Sequence, residues 1–169
     1  MIRLGVLSDS HGDLQRTSSA IDLLLKQGAE ILIHCGDLVD PAIFQLFANL
    51  PQPTAIHSIE GNCDSHVGDW PIRARQAGVV HHGRFAEFQV GDDRVAVIHG
   101  DDGQRMNAAI DSGIYRLICC GHTHRRLRAE FGNTVVVNPG AIYHPRDGLP
   151  PSVAIVTLPE VKVDWLNLD

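Results

Sequence analysis

The sequence lacks any long hydrophobic run. No stretch of its 169 residues approaches the about 18 consecutive apolar residues that a membrane-spanning helix requires. The apolar N-terminal stretch reaches an acidic residue, Asp9, too early for a secretory signal peptide. We therefore expect a cytoplasmic protein that has no membrane partner.

The sequence also lacks an excess of positive charge. It has 14 Lys and Arg against 20 Asp and Glu, and its formal net charge is -6. Such a chain has no overall positive field to attract a nucleic acid or an anionic lipid surface. We do not expect a large nucleic acid duplex as partner, although a local positive site is compatible with this composition.

The four cysteines lack the CxxC spacing of zinc and redox motifs. Cys119 and Cys120 are neighbours in an apolar run, where two adjacent thiols are poorly placed to form a disulfide with each other. We expect all four cysteines to be reduced. No repeat, low-complexity tract or linker divides the chain, which predicts one domain over residues 1–169.

What the sequence does contain is a series of short apolar runs rich in Val, Ile and Leu. Most of them end at a glycine or at a polar residue, as buried strands that lead into polar loops do. Six such strands are predicted, at residues 2–7, 31–35, 54–59, 95–98, 115–120 and 135–137. In open α/β sheets ligands bind outside the carboxyl ends of the strands, so the six loops predict one shared site.

The segments between these strands predict helices early and hairpins late. A first helix is expected between an Asp13 cap and Gly28, and a second from Pro41, at its first helical position, to Pro51. After residue 84 hairpins dominate, with a short helix over residues 104–111 among them. Helices followed by hairpins indicate an α/β fold.

Seven side chains of the kind that binds metal ions occupy the predicted loops. Two pairs stand at i and i+2, where both members point to the same side of an extended backbone, and the other residues lie beside glycines. The pairs are Asp9 with His11 and His122 with His124, and the others are Asp37, Asn62 and His99. Each motif alone is usually only a turn or a polar loop. Because every one follows its own apolar strand, we interpret the seven together as a metal centre.

The donor types indicate which metals would bind. Carboxylate, imidazole and amide oxygen without thiolate favour a transition metal over a structural zinc cage, and the histidines disfavour calcium. We expect two divalent transition-metal ions, with manganese ranked first and Fe, Ni, Co and Zn as alternatives. Two such ions held by two carboxylates keep a net positive charge, which attracts phosphate.

These motifs resemble those of the calcineurin-like metallophosphoesterases over residues 2 to about 146. The short length, the Asn-Cys-Asp at residues 62–64 and the Asn-Pro-Gly at residues 138–140 are similar to the small bacterial and archaeal phosphodiesterases of the YfcE type. The resemblance implies a four-layer αββα sandwich of two facing mixed β-sheets, with the metal site at the C-terminal ends of the strands.

The resemblance also implies roles for the seven side chains. One metal would be bound by Asp9, His11, Asp37 and His124, and the other by Asp37, Asn62, His99 and His122. Asp37 would bridge the two ions, and the catalytic role falls to Asp37, Asn62 and His99. A metal-bound hydroxide would attack phosphorus without a covalent enzyme intermediate, hydrolysing a small phosphodiester.

Two positions depart from the pattern of many relatives. Cys63 stands where they have a histidine that protonates the leaving group, and Asp101 stands where they have another histidine. A general acid contributes about 10²- to 10⁴-fold, so we expect diesters with acidic leaving groups to be the best substrates. Asp64, which orients the acid in such relatives, is expected to brace a metal ligand or a loop here.

Four further residues have either a functional or a purely structural interpretation. Arg146 is a candidate phosphate clamp, with a surface loop as the alternative, and His144 is a candidate substitute acid. His34 and His57 lie within predicted strands, where a hydrogen-bonded core histidine is the commoner outcome. We assign neither of them to the metals.

Two other functions stay open at this point. A phosphomonoesterase or protein phosphatase could use the same ions, and Cys63 argues against it without deciding the matter. The retromer subunit of similar fold shows that a non-catalytic binding scaffold is a second alternative, which the complete donor set disfavours. The sequence leaves a homo-oligomer open.

Overall fold

The architecture follows from strands that are short and mostly buried. The computed structural model describes residues 1–48, 50–51, 55–66 and 68–169. Its strands are β1 (Ile2–Leu7), β2 (Ile31–His34), β3 (Ala55–Ser58), β4 (Val80–His81), β5 (Phe85–Val90), β6 (Asp93–Ile98), β7 (Leu117–Cys119), β8 (Arg126–Phe131), β9 (Thr134–Pro139), β10 (Ser152–Leu158) and β11 (Lys162–Asn167). Its helices are α1 (Leu14–Lys26), α2 (Ile43–Phe47), α3 (Trp70–Gln76) and α4 (Gly103–Ser112). Within the described ranges no helix is long and apolar enough to cross a membrane.

The strands form two mixed sheets. The first has the order β11-β10-β1-β2-β3-β4, in which β1 to β4 are parallel and β10 and β11 are antiparallel additions. The second has the order β5-β6-β7-β9-β8, in which β6, β7 and β9 are parallel. Parallel neighbours need crossover connections, so the carboxyl ends of the four parallel strands lie at one edge of the first sheet and those of the three parallel strands at one edge of the second.

Three apolar clusters hold four layers together. Side chains such as Val6, Ile33 and Val137 fill the space between the two sheets. Helices α1, α2 and α3 cover the outer face of the first sheet, and α4 covers the outer face of the second. The predicted α/β sandwich of two mixed sheets is confirmed, while one domain over residues 1–169 stays a prediction.

The helix ends show where local chemistry decided the structure. Asp13 caps α1 by accepting the N–H of Arg16 at 2.9 Å, as its position predicted. The second helix is shorter than expected at both ends, because it begins at Ile43 and not at Pro41 and ends at Phe47, before Pro51. The Asp40 carboxylate accepts the N–H of Ala42 at 2.8 Å, and this turn competes with the first helical hydrogen bonds.

Other segments were not predicted or are not described. Helix α3 and strand β4 were missed, since α3 buries only Trp70 and Ala74 and β4 has two residues. Helix α4 matches the expected helix to within one residue at each end. Asn49 of the predicted second helix and Thr54 of the predicted third strand lie outside the described residues.

The two strand histidines have the structural roles expected of them. His34 is fully buried, with Nε2 2.9 Å from the Ser10 hydroxyl. His57 stacks on Phe88 with ring centroids 3.9 Å apart, and its Nδ1 lies 3.0 Å from Nε2 of His82. Burial and then the charge of His82 lower the pKa of His57 to about 4. His57 therefore belongs to the packing between β3 and β5.

This packing predicts a pH-dependent stability. The pKa of His57 is about 4 in the folded chain against an ordinary 6.5. The packed, neutral ring therefore contributes fully to the free energy of unfolding above pH 6.5, and this contribution is lost as the pH falls toward 4. We expect His57→Asn to lose less free energy of unfolding than wild type between pH 7 and pH 4. Urea unfolding at both pH values measures this, with exposed His66→Asn as control. Equal pH dependence in all three proteins would refute the role of His57.

Candidate metal centre

The loops that follow the parallel strands of both sheets converge on one site. Asp9 donates its N–H to the Gly36 carbonyl at 3.1 Å, which joins the loops after β1 and β2. The N–H of His122, after β7, points at Asp9 Oδ2 at 3.1 Å and links the second sheet to the first. The carboxyl ends of the strands thus meet where the sequence motifs lie, as parallel strand order requires.

Four of the seven predicted donors form a close group. Asp9, His11, Asp37 and His124 each offer one ligand atom, and these atoms all lie within 4.8 Å of one another. Nε2 of His11 is 3.5 Å from Asp37 Oδ2, and Nε2 of His124 is 3.3 Å from Asp9 Oδ1. The group could hold a metal ion, and it coincides with the first donor set implied by the resemblance.

The other three predicted donors lie beside this group, since Nε2 of His99 is also 3.9 Å from Asp9 Oδ1. Nε2 of His99 is 3.4 Å from Asp37 Oδ2, and the His122 ring is 5.3 Å from the His99 ring between centroids. Nδ1 of His122 lies 3.1 Å from Asn62 Oδ1. The structure therefore brings all seven side chains together, with one oxygen of Asp37 facing both His11 and His99.

The hydrogen bonds of the histidine rings decide which nitrogen faces the site. Nδ1 of His99 donates to the Cys35 carbonyl at 2.8 Å, and Nδ1 of His124 donates to the His144 carbonyl at 2.8 Å. Since a carbonyl can only accept, each neutral ring presents the lone pair of Nε2 to the carboxylates. Nε2 of His11 and of His99 are buried and have no hydrogen-bond partner among the described residues. A cation between these nitrogens and the carboxylates would satisfy both.

The charges in the site also favour a cation between the histidines and the carboxylates. Burial acts to lower the pKa of His99, but the contact with Asp37 and the charge of Asp9 outweigh it and raise that pKa. For His124 the contact with Asp9 is the largest cause, and its pKa is also raised. Without a metal, the buried carboxylates thus draw positive charge onto the rings. The donor types and their orientation fit divalent metal ions.

Most of the predicted donors have a strained backbone, so the extended backbone expected for the pairs Asp9 with His11 and His122 with His124 is wrong. In the described chain, five of the seven lie in the left-handed region, with φ of 53° for Asp9, 44° for His11, 55° for Asp37, 67° for His122 and 57° for His124. This conformation costs an L residue about 1–2 kcal/mol. Such strain persists where surrounding contacts enforce it, and it concentrates at functional sites.

Two glycines allow the close approach of these loops. A Cβ on Gly61 would overlap the carboxylate of Asp37. A Cβ on Gly121 would overlap the Ser8 hydroxyl and come within 2.7 Å of Asp9 Oδ2. The expectation that glycines admit close backbone packing at the site is met at these positions.

Asp64 joins the loops after β2 and β3. Its buried carboxylate accepts the N–H groups of Gly61 at 2.7 Å, Val39 at 2.7 Å and Leu38 at 3.2 Å. Burial is the main cause that raises the pKa of Asp64. Because Leu38 and Val39 directly follow Asp37, this contact pattern agrees with the expected role of a loop brace.

An arginine that no sequence motif marked lies at the edge of the site. Arg84 donates to the Gly61 carbonyl at 2.8 Å and pairs with Asp101. Partial burial acts to raise the pKa of Asp101, but the hydrogen bond and charge of Arg84 lower it overall. The residue at position 101 is therefore a counter-ion, a role that only spatial proximity reveals.

The loop after β9 closes the opposite side. Arg146 donates its backbone N–H to the His124 carbonyl at 2.9 Å, and its charge acts to lower the pKa of His124. Within the described chain the exposed guanidinium makes no hydrogen bond or ion pair, so it is free to meet an anion. His144 contributes its carbonyl to His124, and its suggested role as an acid stays a prediction.

The fold and the donor group define an α/β protein of two mixed β-sheets with a candidate metal-binding site in the loops that follow the parallel strands. Residues 2–160 match the calcineurin-like phosphoesterase superfamily domain, and the chain belongs to this family. It is a metal-dependent phosphoesterase. The resemblance found in the motifs is thereby confirmed.

Similar proteins include two named phosphodiesterases. Phosphodiesterase MJ0936 of Methanocaldococcus jannaschii is 28% identical over 88% of this chain and 89% of its own length. Phosphodiesterase YfcE of Escherichia coli K12 is 24% identical over 99% of this chain and 94% of its own length. The solved structure of an archaeal phosphodiesterase superposes with a TM-score of 0.87 at 25% sequence identity. The superposition covers 99% of this chain and 100% of that structure's chain.

Proposed function

We propose that this chain is a dinuclear-metal-dependent phosphodiesterase acting on small phosphodiesters. The observation that carries the proposal is the position of Asp37, whose Oδ2 lies 3.5 Å from Nε2 of His11 and 3.4 Å from Nε2 of His99. One carboxylate oxygen is therefore shared by two donor sets. The names of the two relatives support a diester substrate.

The donors divide between two ions as follows. Asp9, His11, Asp37 and His124 would hold one, and Asp37, Asn62, His99 and His122 would hold the other. When bound, two divalent ions supply an activated water and neutralise charge on the phosphoryl oxygens. The Cys35 and His144 carbonyls keep the His99 and His124 rings oriented. The Arg146 guanidinium clamps a phosphate oxygen.

The catalytic assignments rest on position within this arrangement. Asp37 joins the two donor sets, His99 faces its Oδ2 at 3.4 Å, and Asn62 contacts His122 of the second set at 3.1 Å. Manganese as the native ion and a cytoplasmic location stay predictions. A homo-oligomer also stays a prediction.

Cys63 carries a prediction about substrates. Since no histidine follows Asn62 to protonate the leaving group, we expect the manganese-loaded protein to cleave bis(p-nitrophenyl) phosphate at least about 100-fold faster than alkyl phosphomonoesters. We expect Cys63→His to raise cleavage of alkyl diesters about tenfold or more, with little gain on nitrophenyl diesters. The measurement is kcat/KM for both substrate classes, with metal content determined on the same samples.

Cys63→Ser is the matched control, since it changes the same site without adding an acid of suitable pKa. Equal rates for alkyl phosphomonoesters and nitrophenyl diesters in wild type would favour a phosphomonoesterase. Metal binding without turnover of any diester would instead favour a binding scaffold of this fold.

A further inference from the structure

An exposed aromatic ring stands at the mouth of the metal centre. The Tyr143 side chain is 38% exposed, and its ring centroid lies 5.7 Å from that of His11. The ring also packs edge-on against His144 at 4.2 Å. The backbone N–H of Tyr143 donates to the Asp9 carbonyl at 3.0 Å. The ring is thus fixed next to a donor of the first set while part of it faces solvent.

Exposure of this ring is unusual for the protein. Among the described residues only Phe131 is another exposed large aromatic, and Tyr115 is buried. Phe131 pairs with Thr134 at the amino end of β9, at the opposite end of that strand from the site. Tyr143 therefore leaves apolar surface open at the one place where a substrate must approach.

The two sides of the site differ in chemistry. On the side of the site next to Asn62, the Arg84 side chain is already paired with Asp101. This side is therefore polar, and its charges are balanced. On the other side one loop supplies both the ring of Tyr143 and the unpaired guanidinium of Arg146. A phosphate group with a flat, apolar substituent matches this second side, because the guanidinium meets the anion and the ring meets the substituent.

We propose that Tyr143 determines substrate specificity by stacking against a planar aromatic substituent of the phosphodiester, such as an aryl group or a nucleobase. The proposal rests on the proposed phosphodiesterase function and names its substrate class. A ring on one ester substituent lies over Tyr143 while the phosphate meets the metal donors. The other substituent projects toward Arg84 and Asp101.

The test compares phenylphosphonate with methylphosphonate, two unreactive ligands in which the substituent on phosphorus is a planar ring or a methyl group. Calorimetry on manganese-loaded protein gives the ratio of their dissociation constants. We expect wild type to prefer phenylphosphonate about tenfold. In Tyr143→Ala the ratio falls toward one, and in Tyr143→Phe it stays as in wild type. Phe131→Ala, which removes an exposed ring far from the site, leaves the ratio unchanged.

The same variants are then assayed for hydrolysis of bis(p-nitrophenyl) phosphate with each phosphonate as competitive inhibitor. Loss of the preference for phenylphosphonate in the inhibition constants of Tyr143→Ala, with kcat retained, supports the proposal. An unchanged binding ratio in Tyr143→Ala, with wild-type metal content and thermal unfolding, overturns it. Failure of the wild type to cleave any diester refutes the proposed function instead, and the calorimetric ratio still decides the role of Tyr143.

Discussion

Replacing Asp37 with Asn is expected to lower kcat/KM for bis(p-nitrophenyl) phosphate by about a thousandfold or more. The change keeps size, and the side-chain oxygen can still accept the Cys63 N–H, which lies 2.8 Å from Asp37 Oδ1. It places an uncharged NH₂ group toward Nε2 of His11 and His99, where Oδ2 now lies. Both donor sets then lose the negatively charged carboxylate that they share.

Metal content and thermal unfolding check this expectation. Asp37→Asn should bind fewer divalent ions per chain and gain less thermal stability when manganese is added. Without metal it should be less stable than wild type at pH 7, because burial acts to raise the pKa of Asp37 but the contacts with His99 and Cys63 lower it overall, so the folded chain stabilises the charged carboxylate. Asp40→Asn, in the same loop, is the matched control. Full activity with two bound ions in Asp37→Asn would refute the shared position of Asp37.

Replacing Asp64 with Ala is expected to cost about 3 kcal/mol of stability, because three backbone N–H groups lose their acceptor inside the protein. It should also lower kcat by about 100-fold, since the loop that carries Asp37 is no longer tied to Gly61. Asp64→Asn should fall between Ala and wild type, as one amide oxygen still accepts. Asp64 touches no predicted substrate position and acts by positioning Asp37.

The control for Asp64→Ala is a variant that is equally destabilised elsewhere. Leu24 is fully buried in α1, and Leu24→Ala should cost about 2–5 kcal/mol by leaving a cavity. Both variants are assayed at a temperature where each is folded, and manganese affinity is measured alongside kcat. If Asp64→Ala matches Leu24→Ala in both quantities, the carboxylate has a structural role only.

The grouping of the seven candidate donors was largely predictable because its signals are local. Each donor directly follows an apolar strand, and parallel strands place their carboxyl ends at one edge of a sheet. The cap at Asp13 and the helix stop at Gly113, with φ of 64°, are likewise read from neighbouring residues. The start of α2 was wrong because the competing turn at Asp40 is a weak signal in sequence.

Other parts of the site depend on contacts between distant segments. The Cys35 carbonyl orients His99 across 64 positions, and Asp9 meets the N–H of His122 across 113. The pairing of Arg84 with Asp101 and the position of Tyr143 beside His11 have no local motif. Such contacts follow from the register and order of the strands in two facing sheets.

By itself, the sequence determined the donor types, the strands that carry them and the class of metal they suit, because side-chain chemistry and apolar periodicity are properties of short segments. Only the tertiary structure decided which atom faces which: the oxygen of Asp37 between His11 and His99, and the lone pairs turned inward by backbone carbonyls. These atomic positions depend on the packing of the two sheets against each other. Contacts between the loops also hold Asp9 and Asp37 in the left-handed backbone conformation.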